Sequence, residues 1–241
     1  MMRDYAEGQS FLAGRSPFFA GFRAALPLWL GITPFGLVVG LLGPAVGLSA
    51  PATAALSAFV FAGSAQFIAL GLIGARASYA LIVLTTLVVN LRHLLYGASL
   101  APYLRSQPAG RKAVLSFFLT DEAYAVVIDH FRRPGVAPTV QYYLGVGLSL
   151  YLDWVASTVA GLAVGGLVPD PAALGLDFAL PATFIALLAP QLKGWAAWVT
   201  FAVAGVTVLL AGGLPGRLGI LLAIVVATTA GWGMEEWLSR S

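Results

Sequence analysis

The sequence predicts an all-α fold: a polytopic membrane helix bundle of about seven to eight segments, some broken by Pro or Gly and some too short to span. Three observations predict it. Of 241 residues, 59% are hydrophobic and 10% charged, against about 25% charged in a soluble domain. The apolar residues come in long blocks, several near the ~20 residues that a helix needs to cross a hydrocarbon core. Gly 28 and Pro 14 run through those blocks, as they do in membrane helices more than in soluble ones. No stretch is long enough for a separate soluble domain. The chain divides into an N-terminal cytoplasmic arm over 1–23, one transmembrane domain over 24–234 and a tail over 235–241.

Charge and cysteine usage narrow the classes. A net charge of +3 spread between apolar blocks does not point to nucleic acid. Such residues set membrane orientation and meet anionic lipid. The absence of cysteine removes disulfides, thiolate metal sites and a cysteine nucleophile. Neither metal nor cofactor is expected. Arg3, Asp4, Glu7, Arg15 and Arg23 interrupt the first residues, so the start reads as an arm and not as a cleavable signal.

The first span is Ala24 to Gly43, where Pro27 and Pro34 predict a kinked or discontinuous helix and Gly36 and Gly40 offer a close-packing face. An uncharged outside loop follows, then a second span from Thr53 to Gly74. Within it Gly63, Ser64 and Gln66 interrupt an apolar helix. A Gln at membrane depth needs hydrogen-bond partners, either as glue between helices or beside a ligand that approaches the backbone.

The third span, Ser78 to Pro102, holds the most expensive cluster: Asn90, Arg92, His93 and Tyr96 at its middle. An Arg at a helix centre costs about 2.5–3.5 kcal/mol on insertion scales. It must face protein, a partner charge or a watery hollow. Asn90 and His93 share one helix face and Arg92 and Tyr96 another. The fourth segment, Ala113 to Ile128, is short and carries Thr120-Asp121-Glu122. Two adjacent carboxylates need a cation or a shared proton. Arg92 is the expected cation, and a substrate ammonium is the other. Asp129, His130, Arg132 and Arg133 read as an interfacial run.

Val140 to Val168 is the fifth span. Gly145, Ser149, Asp153, Ser157, Gly161 and Gly165 recur along it every fourth residue, a small or polar stripe that winds partway round the helix. Asp153 is its one charge, and an intramembrane carboxylate is a functional candidate unless a structural hydrogen bond explains it. Pro169, Asp170, Pro171 and Gly175 make an outside turn. Phe178 to Pro190 is too short to span and reads as a half-helix. Trp195 to Ala211 and Leu218 to Gly233 are two further spans, with Trp195, Trp198, Trp232 and Trp237 suited to interfacial belts.

With the N-terminus inside, Arg3, Arg15, Arg23, Arg76, Arg132, Arg133, Lys193 and Arg240 fall on the cytoplasmic side, and Arg105, Arg111, Lys112 and Arg217 outside. The basic loop at 105–112 is the misfit, and a re-entrant neighbour would bring it inside. No clear internal repeat is visible.

Four stretches, in this order and spacing, resemble the AzlC-type branched-chain amino acid exporters. They are Phe61-Ala-Gly-Ser-Ala-Gln-Phe67, Asn90-Leu-Arg-His-Leu-Leu-Tyr96, Leu119-Thr-Asp-Glu122 and Leu176-Asp-Phe-Ala-Leu-Pro-Ala-Thr-Phe-Ile-Ala-Leu-Leu188. The resemblance covers nearly the whole chain. It implies efflux of leucine, isoleucine, valine and sometimes methionine across the cytoplasmic membrane, and a second, small membrane subunit of the AzlD type. The family pattern accepts Asn or Asp where this chain has Asn90.

The residues themselves agree with a carrier of zwitterions. A substrate carboxylate needs amide donors or a cation such as Arg92. Its ammonium needs carbonyls or a carboxylate such as Asp121. Its aliphatic side chain needs only an apolar pocket. Gly63, Ser64, Gln66, Asn90, Arg92, Tyr96 and Asp121 are the expected substrate residues. His93, Glu122 and Asp153 are the expected proton carriers, which makes the protein a proton-coupled secondary transporter and antiporter. The competing reading is a facilitator or channel-like permease without proton coupling. Enzyme readings fail. Glu235-Glu236 with Arg240 looks like an intramembrane protease motif but lacks later histidine helices, since His93 and His130 both lie upstream. No serine and histidine pair suits an intramembrane serine protease.

Overall fold

The computed structural model describes residues 16–165, Ile185, Ala189, 192–214 and 218–240. The arm up to Arg15, the turn at Pro169–Gly175, the fourth motif and the expected half-helix (apart from Ile185 and Ala189), and Pro215–Arg217 lie outside the described residues. The chain forms two compact units, Met1–Leu180 and Pro181–Ser241. Among the described residues every regular element is a helix.

Unit 1 is built on two long helices, α1 (Pro17–Ala45) and α8 (Val140–Gly165). Contacts climb both helices together. A Cβ on Gly21 would sit 2.1 Å from the Tyr142 carbonyl oxygen, and one on Gly161 would sit 2.1 Å from the Leu37 carbonyl oxygen. Trp29 bonds Ser149 and Thr33 bonds Asp153, each across the same separation of 120 residues. The two helices are therefore parallel and in register, with backbones in contact. The small residues that the sequence shows every fourth position on α8 are what allow this. Parallel neighbours imply that the chain crosses back between them.

That crossing is α4 (Tyr79–Asn90) and α5 (Arg92–Leu100), followed by a 3₁₀ turn over Ala101–Leu104. Together, Tyr79–Leu104 is 26 residues long and, like α1 and α8, long and apolar enough to cross a membrane.

The other four helices of unit 1 are too short: α2 (Ala50–Phe59) has 10 residues, α3 (Gly63–Gly74) 12, α6 (Ala109–Phe117) 9 and α7 (Asp121–Arg132) 12. They form two hairpins, each beginning and ending at one end of the α1–α8 pair. Thr53, at the start of α2, packs on Gly43, and Gly74, at the end of α3, faces Val46. Both ends of the α2–α3 hairpin thus lie at the C-terminal end of α1. Its tip reaches Tyr151 and Trp154: the Tyr151 hydroxyl donates to the Ala58 carbonyl (3.1 Å), and the Trp154 ring covers Gly63. The α6–α7 hairpin comes from the opposite end. Arg111 borders Val140 and Leu144 at its start, and His130 stacks on Tyr142 near its finish. Its tip, Phe117 and Phe118, also reaches Tyr151. Val140 to Tyr151 is about 16 Å of helix, roughly half of a ~30 Å hydrocarbon core. The tips meet there, with Phe61 against Phe117 at 6.3 Å and against Tyr151 at 5.3 Å.

Three expectations change. The second span is a hairpin broken at Val60–Ala62, not one interrupted helix. The fourth segment is also a hairpin, with Asp121 and Glu122 in the first turn of its second helix instead of inside a single one. Consequently Arg105, Arg111 and Lys112 share an end with Arg23, Arg132 and Arg133, while Arg76 lies at the opposite end. The assignment of the 105–112 loop and of Arg76 to sides is thereby reversed. Unit 2 is simpler: α9 (Gly194–Leu210) and α10 (Leu218–Arg240) form an antiparallel pair, with Gly231 against Thr200 and Gly219 against Ala211.

Candidate functional site

Each of the three described motifs sits at a break. Ser78 opens the crossing segment by accepting from the Leu81 amide, and α4 then runs to Asn90. At Leu91 the ladder tightens: its N–H goes to Val88, and Leu94 bonds Leu91 in turn, both three residues back. A short 3₁₀ stretch inside a membrane helix commonly marks a functional position. It sets Arg92 at the start of α5. Opposite it, Thr120 caps α7 by accepting from the Ala123 amide at 3.2 Å. Asp121 and Glu122 then occupy the helix N-terminus, where the dipole favours carboxylates.

The two breaks face each other. Arg92 Nη1 lies 2.8 Å from Asp121 Oδ2, with about a quarter to a third of each side chain exposed (27% and 36%). Tyr96 stacks on Tyr124 at 4.5 Å, and His93 meets Tyr96 edge-on. Tyr124 donates to Ser99 (2.9 Å), and His93 Nδ1 lies 3.0 Å from the Asn90 carbonyl. Tyr96 reaches the Asp121 carboxylate with its hydroxyl and lies close enough to Arg92 and Glu122 to feel their charges. Within this cluster three buried atoms have no hydrogen-bond partner among the described residues: Asn90 Oδ1, Arg92 Nε and Asp121 Oδ1. Leaving such groups unmade costs about 1–3 kcal/mol each. A cleft of about 610 Å³ runs from Asp121 and Glu122 along α7 past Ala125 and Val126 to Asp129, Arg133 and Tyr142, with Ala24 and Leu28 of α1 as its far wall. At its mouth Arg133 pairs with Asp129. There the pKa of His130 is held below its usual value, first by burial and then by the Arg133 charge, with Asp129 opposing.

The remaining expected residues are elsewhere. Gln66 is fully buried, accepts from Trp154 Nε1 (2.8 Å) and donates to Ser57 Oγ (3.2 Å). Ser57 shares a 2.8 Å bond with Thr158, which donates to the Trp154 carbonyl. Both ends of the Gln66 amide are engaged, so it fastens the α2–α3 tip to α8. Gly63 is the seat of the Trp154 ring, while Ser64 is half-buried beside it. Asp153 forms a third location, bonded to Thr33 between α8 and α1. The structure thus gathers Asn90, Arg92, Tyr96, His93, Asp121 and Glu122, and separates them from Gly63–Gln66 and from Asp153. The sequence reading missed Ser99, Trp154, Thr33 and the capping role of Thr120. The last was visible as Thr followed by two acids, a helix-start signature. Among the described residues no grouping of His, Asp and Glu is able to hold a metal ion.

Long apolar helices, two opposed hairpins and a charge pair between the Asn90–Leu91 break and the start of α7 fit an integral membrane protein. The family described as "AzlC protein" matches residues 27–168, and the chain belongs to it. It is 29% identical over 227 residues to "Branched-chain amino acid transport protein AzlC" of Bacillus subtilis, covering 88% of this chain and 87% of that one. It is 29% identical over 179 residues to "Inner membrane protein YgaZ" of Escherichia coli, 73% of each. An uncharacterized membrane protein of Archaeoglobus fulgidus is 28% identical over 228 residues, 94% of this chain and 97% of its own. No solved structure matches.

Proposed function

We propose that the protein is a secondary transporter that exports branched-chain amino acids across the cytoplasmic membrane in exchange for protons. The named transport function of the Bacillus subtilis relative supports the substrate class. The observation that carries the reading is the set of unpartnered atoms at the Arg92–Asp121 pair. One is a cationic donor and two are acceptors, the complement of a zwitterion. Arg92 Nε–H takes the substrate carboxylate, and Asn90 Oδ1 and Asp121 Oδ1 take its ammonium. A zwitterion adds no net charge to a pair that is already neutral, so it enters without the cost of a bare ion. The tyrosines beside the pair and the apolar walls around it suit an aliphatic side chain.

Orientation follows from charge. Arg23, Arg105, Arg111, Lys112, Arg132 and Arg133 gather at the end where the α6–α7 hairpin enters, against Arg76 at the other. The positive-inside rule makes the richer end cytoplasmic. The cleft along α7 then opens to the cytoplasm, the side from which an exporter loads. A small AzlD-type subunit and membrane lipids are the proposed partners.

Flux of labelled leucine from liposomes tests this, with and without the small subunit and a pH gradient. Wild type is expected to move leucine, and Arg92→Ala and Asp121→Asn to lose at least about tenfold in rate, as removal of one partner of a hydrogen-bonded charge pair costs about 2–5 kcal/mol. No leucine flux in any combination overturns the reading. Flux that ignores the gradient leaves a facilitator.

A further inference from the structure

We propose that Asp153 carries the coupling proton, at a site apart from the Arg92–Asp121 cluster; this rests on the transport reading above. Asp153 is 5% exposed. Its Oδ1 accepts from the Thr33 hydroxyl at 2.7 Å, and its Oδ2 is buried without a hydrogen-bond partner among the described residues. No salt bridge among the described residues reaches it.

Among the described residues, the elements packed round it offer no countercharge. The only ionisable residue of α1 is Arg23, ten residues from Thr33 or about 15 Å along the helix. Neither α2 nor α3 contains an ionisable residue. Arg111 of α6 belongs to the mouth of that hairpin, level with Val140 and Leu144, and the exposed Lys112 ammonium donates to the Arg105 carbonyl. On α7, Asp121 is bound to Arg92, Glu122 lines the open cleft with Asp129, and His130 is stacked on Tyr142; Tyr124 is bound to Ser99 and Arg132 is exposed at the helix end. Tyr151 of α8 donates to the Ala58 carbonyl.

A lone carboxylate in such surroundings is expensive as an anion and cheap as an acid. Binding one proton forms an O–H bond on Oδ2 and cancels the charge; release restores the carboxylate, and no other reactant is needed. The other two carriers expected from the sequence are placed differently. His93 is half-exposed with Nδ1 at the Asn90 carbonyl, and Glu122 faces the cleft beside the substrate cluster. The proton and the amino acid therefore occupy separate sites on α8 and on α5–α7. Pro34 follows Thr33 directly and frees the Leu30 carbonyl of its helical donor, so α1 lacks a ladder bond in the turn where it grips Asp153.

The test pairs two assays in proteoliposomes holding the full chain with its small subunit. Asp153→Asn mimics the neutral acid, so leucine counterflow is expected to persist while accumulation driven by a pH gradient is lost. In wild type, dicyclohexylcarbodiimide, which attacks protonated carboxyls in apolar surroundings, is expected to label Asp153 in peptide mass spectra, less so as pH rises. Gradient-driven accumulation that survives in Asp153→Asn overturns the proposal, because the proton then travels elsewhere. An unlabelled Asp153 overturns it as well, and this holds even where the variant fails to fold. Wild type that moves no leucine in either assay overturns the transport reading and the coupling with it. Counterflow in wild type with no response to the gradient defeats the coupling alone.

Discussion

The amide of Gln66 meets a ring N–H on one side and a hydroxyl on the other, while Arg92 keeps an Nε–H with nothing to bond. Both are polar side chains at membrane depth, and the sequence could only say that each needs partners. The difference lies in what the fold supplies. Gln66 finds Trp154 and Ser57 within the protein, so its bonds are spent on structure. Gln66→Leu keeps the volume roughly but strands the Trp154 N–H and loosens the Ser57–Thr158 pair. At about 1–3 kcal/mol per stranded buried group, a clear fall in melting temperature in detergent is expected. Leucine binding to the fraction still folded should be unchanged. A variant with wild-type melting and lost binding would instead return Gln66 to the substrate site.

At the scale of elements, the breaks decide the architecture, and they were unequally legible. Gly63 and Ser64 announced the first, since a helix of Leu and Ile does not tolerate them idly. Nothing comparable marks Phe117–Thr120, which is neither Gly nor Pro, so the fourth segment read as continuous; only the Thr120 cap gave it away. The Asn90–Leu91 break has no sequence mark either, because a single tightened turn needs no special residue. The small-residue stripe on α8, by contrast, was plain, and its partner proved to be α1 in parallel. Gly161 is one strict point of that contact, because a Cβ there would lie 2.1 Å from the Leu37 carbonyl oxygen, as one on Gly145 would lie 2.0 Å from that of Phe18. Backbone cannot step aside as a side chain can. Gly161→Val is expected to cost at least the ~1–3 kcal/mol of ordinary overpacking, seen as aggregation or an early elution peak on size-exclusion chromatography, whereas Gly31→Ala, with open space around it, should elute as wild type.

For the whole molecule, the question is how many times unit 1 crosses. Counting apolar blocks gave a crossing for each, and the charge bias then came out weak because Arg105, Arg111 and Lys112 fell on the wrong side. Two re-entrant hairpins repair this without moving a residue. A helix pair that enters and returns presents both its flanks to one face, and neither flank needs to traverse lipid. Topology is directly measurable here, since the chain has no cysteine and each introduced thiol is unique. Ser106→Cys precedes the α6–α7 hairpin, Ala137→Cys follows it, and Ala50→Cys opens the α2–α3 hairpin; all three positions are exposed. An impermeant maleimide should label the first two from the same face, and only from inverted vesicles, and label the third only from intact spheroplasts. If Ser106→Cys and Ala137→Cys react from opposite faces, α6 and α7 together cross the membrane. Asp121 would then not hang at the tip of a hairpin, and the cleft along α7 would not open on the face from which that hairpin enters.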